Sequence, residues 1–148
     1  MFGFGKGKIE IQIPQFNFYP GETIEGNVFL KVKKQIKAKA VTIKLIGINK
    51  TTKLNQNQQL KSASNYVYYF KQSLDGEKEY SGESSYNFKI KIPQNILAPP
   101  KFGTAFGTLI KSAQILTGQS SQIKWYLIAS LEIPWGIDIS KKIQINIT

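Results

Sequence analysis

Tyr19-Pro20-Gly21-Glu22-Thr23-Ile24-Glu25-Gly26-Asn27-Val28 is the stretch from which the rest of the chain is read. Pro20-Gly21 marks a turn. Proline presets φ for the first central position, and glycine accepts the positive φ that the next position of a type II turn needs. Thr23 to Val32 then reads as a strand, with Val28, Leu30 and Val32 on one face and Asn27, Lys31 and Lys33 on the other. Gly26, just inside it, signals a bulge or a close approach by a neighbouring backbone.

The same alternation extends outward in both directions. Upstream, Lys8 to Ile13 places Ile9, Ile11 and Ile13 on one face, and Pro14 ends the strand or sets it at a sheet edge. Downstream, residues 33–37 read as a polar connection. Ala40 to Ile48 is the next strand, with Val41, Ile43 and Leu45 together. Lys50 to Asn65 is polar and reads as a mobile loop. Tyr66 to Phe70 returns to strand. Tyr66, Tyr68, Tyr69 and Phe70 are of a type that stacks on bases, but Tyr66, Tyr68 and Phe70 share a face and are expected to pack in the sandwich. Asp75-Gly76 is a hairpin dipeptide. A less regular stretch runs through Tyr80 and Gly82. Tyr86, Phe88, Ile90 and Ile92 alternate up to Pro93. Thr104 to Ser121 fits a short helix or a hairpin equally. Ile123, Trp125, Leu127, Ala129, Leu131 and Ile133 define a long strand, and Ile143, Ile145 and Ile147 the last. Seven or eight strands with at most one short helix, no repeat and no linker predict one antiparallel β-sandwich domain over residues 1–148.

Order and spacing of two stretches resemble the arrestin-like superfamily: arrestins, α-arrestins, the arrestin-like subunit of retromer and bacterial sporulation-control proteins. The first is Phe18 to Val28 with its Pro-Gly-Glu turn, followed by Ile36 to Gly47. The second runs from Tyr86-Asn87-Phe88-Lys89-Ile90-Lys91-Ile92-Pro93 through Leu97-Ala98-Pro99-Pro100-Lys101-Phe102, then resumes at Ile123 to Trp135. The resemblance implies the immunoglobulin-like sandwich of an arrestin N-terminal domain. It also implies a non-enzymatic adaptor or scaffold that binds proteins. Family members commonly have two such domains, and the length here suits the N-terminal one. With no arginine in the chain, the arginine of the family's inter-domain polar core has no counterpart. Lys101 stands where serine is common, and residues 104–121 look inserted. In receptor-binding arrestins, lysines near the first strand sense phosphate, and Lys6 and Lys8 lie in about that place.

Charge narrows the partners. Twenty lysines oppose nine carboxylates, for a net charge of +11. Residues 1–61 hold eleven of the lysines and three of the carboxylates. A polyanion suits such a surface. Lys6, Lys8, Lys31, Lys33, Lys34, Lys37 and Lys39 are the candidate partner-binding residues, for acidic or phosphorylated protein segments. The structural alternative is that these lysines solvate a sheet face and discourage edge-to-edge aggregation. The first strand is the candidate edge for pairing with an extended partner or a second copy, giving a homodimer. Nonspecific binding of nucleic acid or anionic lipid is the alternative function.

Familiar chemistry is poorly supplied. There is no histidine and no cysteine, so the commonest general base and thiol nucleophile are missing. Asp75, Glu77 and Glu79 lack the spacing of a calcium loop. Gly3, Gly5 and Gly7 precede a strand, whereas a phosphate loop follows one. No enzyme activity, cofactor or metal is expected. Trp135 reads as a structural anchor. Residues 1–8 contain no apolar run of the length a secretory signal needs, and the expected location is cytoplasmic.

Overall fold

In the computed structural model, which describes residues 6–54, 57, 60–97 and 120–148, Tyr19–Glu22 closes as the expected turn. The Glu22 N–H donates to the Tyr19 carbonyl at 3.1 Å, and Gly21 sits at φ +92°. Glu22 also returns its carboxylate to the Tyr19 N–H at 2.8 Å. The turn is stitched to the far end of the chain's second motif. Gly21 donates to the Ile92 carbonyl at 2.9 Å, and Ile92 donates to the Glu22 carbonyl at 2.8 Å.

Eight strands follow in chain order: β1 Gly7–Gln12, β2 Asn17–Phe18, β3 Thr23–Ala38, β4 Ala40–Leu54, β5 Leu60–Asp75, β6 Lys78–Lys91, β7 Ser120–Glu132 and β8 Ile139–Ile147. They form a three-stranded sheet, β1-β3-β6, and a five-stranded sheet, β2-β8-β7-β4-β5. The fold is the all-β sandwich that the alternation predicts, and no described residue is helical. Val28, Leu30, Phe88 and Ile90 of the smaller sheet meet Val41, Ile43, Leu45, Leu127 and Ile145 of the larger in one core. Each such fully buried aliphatic chain contributes about 1.5–3 kcal/mol.

Gly26 is a close approach and not a bulge. It pairs with Phe88 in continuous register, and a β-carbon there would lie 2.6 Å from the Gln12 carbonyl oxygen. The bulge falls further along β3, where Val32 pairs with Gly82 but Ile36 with Tyr80. Residues 33–37 are therefore strand and not a connection. Likewise most of Lys50 to Asn65 belongs to one long β4–β5 hairpin, since Asn49 pairs with Asn65 and Leu54 with Leu60. Lys78 to Lys91 is continuous strand.

Asp75-Gly76 does not make a hairpin, because β5 and β6 belong to different sheets. It carries the chain across the sandwich and is held from below. The Asp75 carboxylate accepts from the Gly76 N–H and the Tyr86 hydroxyl, each at 2.8 Å, and pairs with Lys78 at 2.9 Å. The Tyr80 hydroxyl donates to the Gly76 carbonyl. Lys78, then Tyr86 and Gly76, hold the Asp75 carboxyl below the usual carboxylate range. Burial, reinforced by Asp75, pushes both Tyr80 and Tyr86 up to about 12.

Candidate functional site: the open edge of the first strand

β1 is an edge strand: β3 flanks it on one side, and no strand of the described residues pairs with the other. Its register with β3 runs from Gly7 opposite Val32 to Gln12 opposite Asn27. The Lys33 N–H donates to the Lys6 carbonyl at 2.9 Å, which sets the phase of this antiparallel ladder. Lys8 and Glu10 therefore bond to β3, while Ile9 and Ile11 turn their N–H and C=O toward the open side. Their side chains go inward; Ile9 is buried and Ile11 partly so. The outward donors and acceptors thus have no strand partner among the described residues, on a strand anchored by its own core residues.

A groove of about 740 Å³ runs along this edge, between β1 and the start of β8. Lys8, Lys31, Lys33 and Lys141 line it, against Glu10 and Asp138. The Asp138 carboxylate is already engaged, accepting from the Ile133 N–H at 2.9 Å. Lys31 makes an ion pair with Glu83 at 3.8 Å, both exposed, and such a pair is worth little. Lys6 precedes the groove-lining Gly7, and its ammonium lies 3.5 Å from where a β-carbon of Gly136 would sit.

The fold therefore sorts the seven candidate lysines. Lys6, Lys8, Lys31 and Lys33 gather beside the groove. Lys34 lies in the β3 bulge, Lys37 pairs across to Glu79, and Lys39 sits at the β3–β4 crossing, its N–H donating to the Glu132 carbonyl at 2.8 Å. All seven are exposed. Lys141 is absent from the candidate set because it is some hundred residues from the others in sequence. Only the approach of β8 to β1 brings it there.

Two aromatic expectations are corrected. Trp135 is fully exposed at φ +61°, so this left-handed residue throws its ring into solvent and anchors nothing. Tyr66, Tyr68 and Phe70 do not share one face. Gly47 pairs with Tyr68 but Ile48 with Tyr66, leaving Val67 bulged. The extra residue flips the alternation: Tyr68 packs on the core near Trp125, while Tyr66 turns out beside Tyr69. Among the described residues no group of three or more acidic side chains gathers to hold a metal, and no helix is long and apolar enough to cross a membrane. Residues 1–5 and 98–119, with most of the 104–121 segment, lie outside the described residues.

Comparison with known proteins agrees with this architecture. Residues 7–148 match the family described as arrestin (or S-antigen), N-terminal domain. The fold is similar to the crystal structure of Spo0M, a sporulation control protein from Bacillus subtilis. The TM-score is 0.64 at 16% identity, covering 97% of this chain and 50% of that one. The chain thus spans about half the length of that relative. No curated protein matches the sequence.

Proposed function

The chain belongs to the arrestin family by its N-terminal domain, and from that premise we propose that it is a non-enzymatic, cytoplasmic adaptor or scaffold module that binds protein partners. The observation that carries this reading is the unpaired outer edge of β1 beside a lysine-lined groove. An extended partner segment adds as a strand, bonding to the backbone of Ile9 and Ile11. Lys8, Lys31, Lys33 and Lys6 favour acidic or phosphorylated residues in that segment, and Lys34, Lys37 and Lys39 extend the basic field and speed encounter. A second copy is an alternative occupant of the same edge, giving a homodimer.

Affinity capture from native lysate, with and without nuclease and read by mass spectrometry, tests the proposal. Two variants accompany it: Lys8→Gln/Lys31→Gln/Lys33→Gln, and Ile11→Pro, which deletes an N–H that faces the open side. The expected result is a defined set of proteins that survives nuclease and is lost from both variants. Loss of everything on nuclease treatment, or an unchanged set with both variants, overturns it. A homodimer through this edge predicts that Ile11→Pro yields monomers in sedimentation.

A further inference from the structure

The outer face of the five-stranded sheet carries a second arrangement, built from residues that do not line the groove. Cross-strand register places Lys71, Lys44, Ile128 and Lys142 in one row over β5, β4, β7 and β8. The next row, two residues along, is Tyr69, Ile46, Tyr126 and Gln144, and beyond it come Tyr66, Ile48 and Lys124. Lys71 and Lys44 stand directly opposite each other, a like-charge pairing that costs stability in a sheet. Lys71 is compensated by Glu132 at 2.7 Å, with Asp138 adding to the negative field around it at longer range. Lys44 and Lys124 have no ion-pair partner among the described side chains. The Lys142 ammonium lies 4.7 Å from the Tyr126 ring centroid.

The aromatics are arranged as a platform. Tyr66 and Tyr69 are 66% and 53% exposed, and their rings meet edge to face at 5.9 Å. Tyr126 and Ile46, at 9% and 3%, are sunk into the face. The apolar centre is therefore flush rather than protruding, which suits stacking better than insertion among lipid chains. A basic row lies about 7 Å from a parallel aromatic row, by the strand rise. We propose that this face binds single-stranded nucleic acid, with the phosphate chain on Lys44, Lys124 and Lys142 and bases on Tyr66 and Tyr69. Exposed aromatics within a lysine field are the combination that binds single strands without reading their sequence. Lysine supplies charge but not the bidentate fork that reads base edges, so little sequence preference is expected. This inference is independent of the adaptor reading, which uses the other sheet's edge.

The test is fluorescence anisotropy with 5′-labelled oligo(dT)15 between 50 and 200 mM NaCl. Inorganic polyphosphate and vesicles of phosphatidylcholine with phosphatidylserine serve as base-free anions. Saturable binding to the oligonucleotide is expected. Tyr66→Ser/Tyr69→Ser should weaken it roughly tenfold or more while leaving polyphosphate binding within about twofold, and Tyr66→Phe/Tyr69→Phe should restore it. Lys44→Gln/Lys142→Gln should reduce the slope of log K against log salt by about 0.7 per lysine. Both tyrosines are more than half exposed, so the variants keep the fold, checked by thermal melting. Absence of binding at 50 mM NaCl, or equal oligonucleotide affinity in the serine variant, overturns the proposal. So does a tyrosine dependence seen only with vesicles, which assigns the face to a membrane.

Discussion

Replacing Gly26 by alanine tests how the organising strand meets the first. A β-carbon at Gly26 would lie 2.6 Å from both the Gln12 carbonyl oxygen and the Ile13 Cγ2, and 2.9 Å from the Phe88 ring. The Ile13 methyl can rotate aside. Phe88 is buried at 2% exposure, and the Gln12 oxygen is backbone, so relief requires the end of β1 to move away from β3. Overpacking of this kind costs about 1–3 kcal/mol, and alanine recovers about 0.4–1 kcal/mol through the unfolded chain. Mid-range values leave a net loss of about 1.3 kcal/mol, or a Tm lower by roughly 3–6 °C. Gly76→Ala is the control. Nothing lies within 4 Å of its β-carbon position and its φ is not among the positive values, so the unfolded-state gain stands alone and stability stays level or rises. Urea unfolding at constant m measures both, and amide exchange locates the change. Exchange should quicken at Lys8 and Glu10 of β1, whose N–H groups bond to β3, but not at Leu127 in mid-β7. Gly26→Ala as stable as the parent, or faster exchange spread evenly, would refute the reasoning.

Two further outcomes follow from buried polar groups. The Thr42 hydroxyl is buried with no hydrogen-bond partner among the described residues, so Thr42→Val removes an unsatisfied group at nearly equal volume. It should stabilise by about 1–3 kcal/mol, read as a higher melting temperature; an unchanged or lower one counts against it. Tyr80 and Tyr86 keep their protons to about pH 12 in the fold, whereas an unfolded tyrosine ionises near 10. Their contribution is therefore complete below about pH 10 and is lost as pH rises through 12, at about 1.4 kcal/mol per pH unit for each tyrosine. Urea midpoints from pH 9 to 11 should fall less steeply in Tyr86→Phe than in the parent; parallel slopes would show that Tyr86 is not shifted.

The edge strand and the outer face place basic charge in two settings. Along β1 the lysines flank backbone that no described strand pairs. On the outer face they flank tyrosine rings. Lys44 shows why the two must be separated. It lies close in sequence to Lys37 and Lys39, but β3 and β4 belong to opposite sheets, so it faces away from the groove.

Period-two alternation is a local property, because successive side chains of any extended segment point to opposite faces. For that reason the inward sets Val28-Leu30-Val32, Val41-Ile43-Leu45 and Phe88-Ile90-Ile92 were legible in the sequence, and with them the sandwich. The Pro20-Gly21 turn was legible because φ demands are written in residue type. A bulge is different: the extra residue at Val67 is defined only against β4, and it reversed Tyr66 without altering the local pattern. Asp75-Gly76 showed a turn but not which sheets it joins, and Trp135 showed an aromatic but not the positive φ that exposes it. The composition of both candidate surfaces was likewise beyond local reading. Lys141 reaches the groove, and Lys71, Lys124 and Lys142 reach the outer face, through pairings between strands distant in sequence. Sequence alone determined which residues face inward, since that depends on neighbours along the chain. Tertiary structure alone decided which edge stays open and which charges and rings share a face, since those depend on what each strand lies beside.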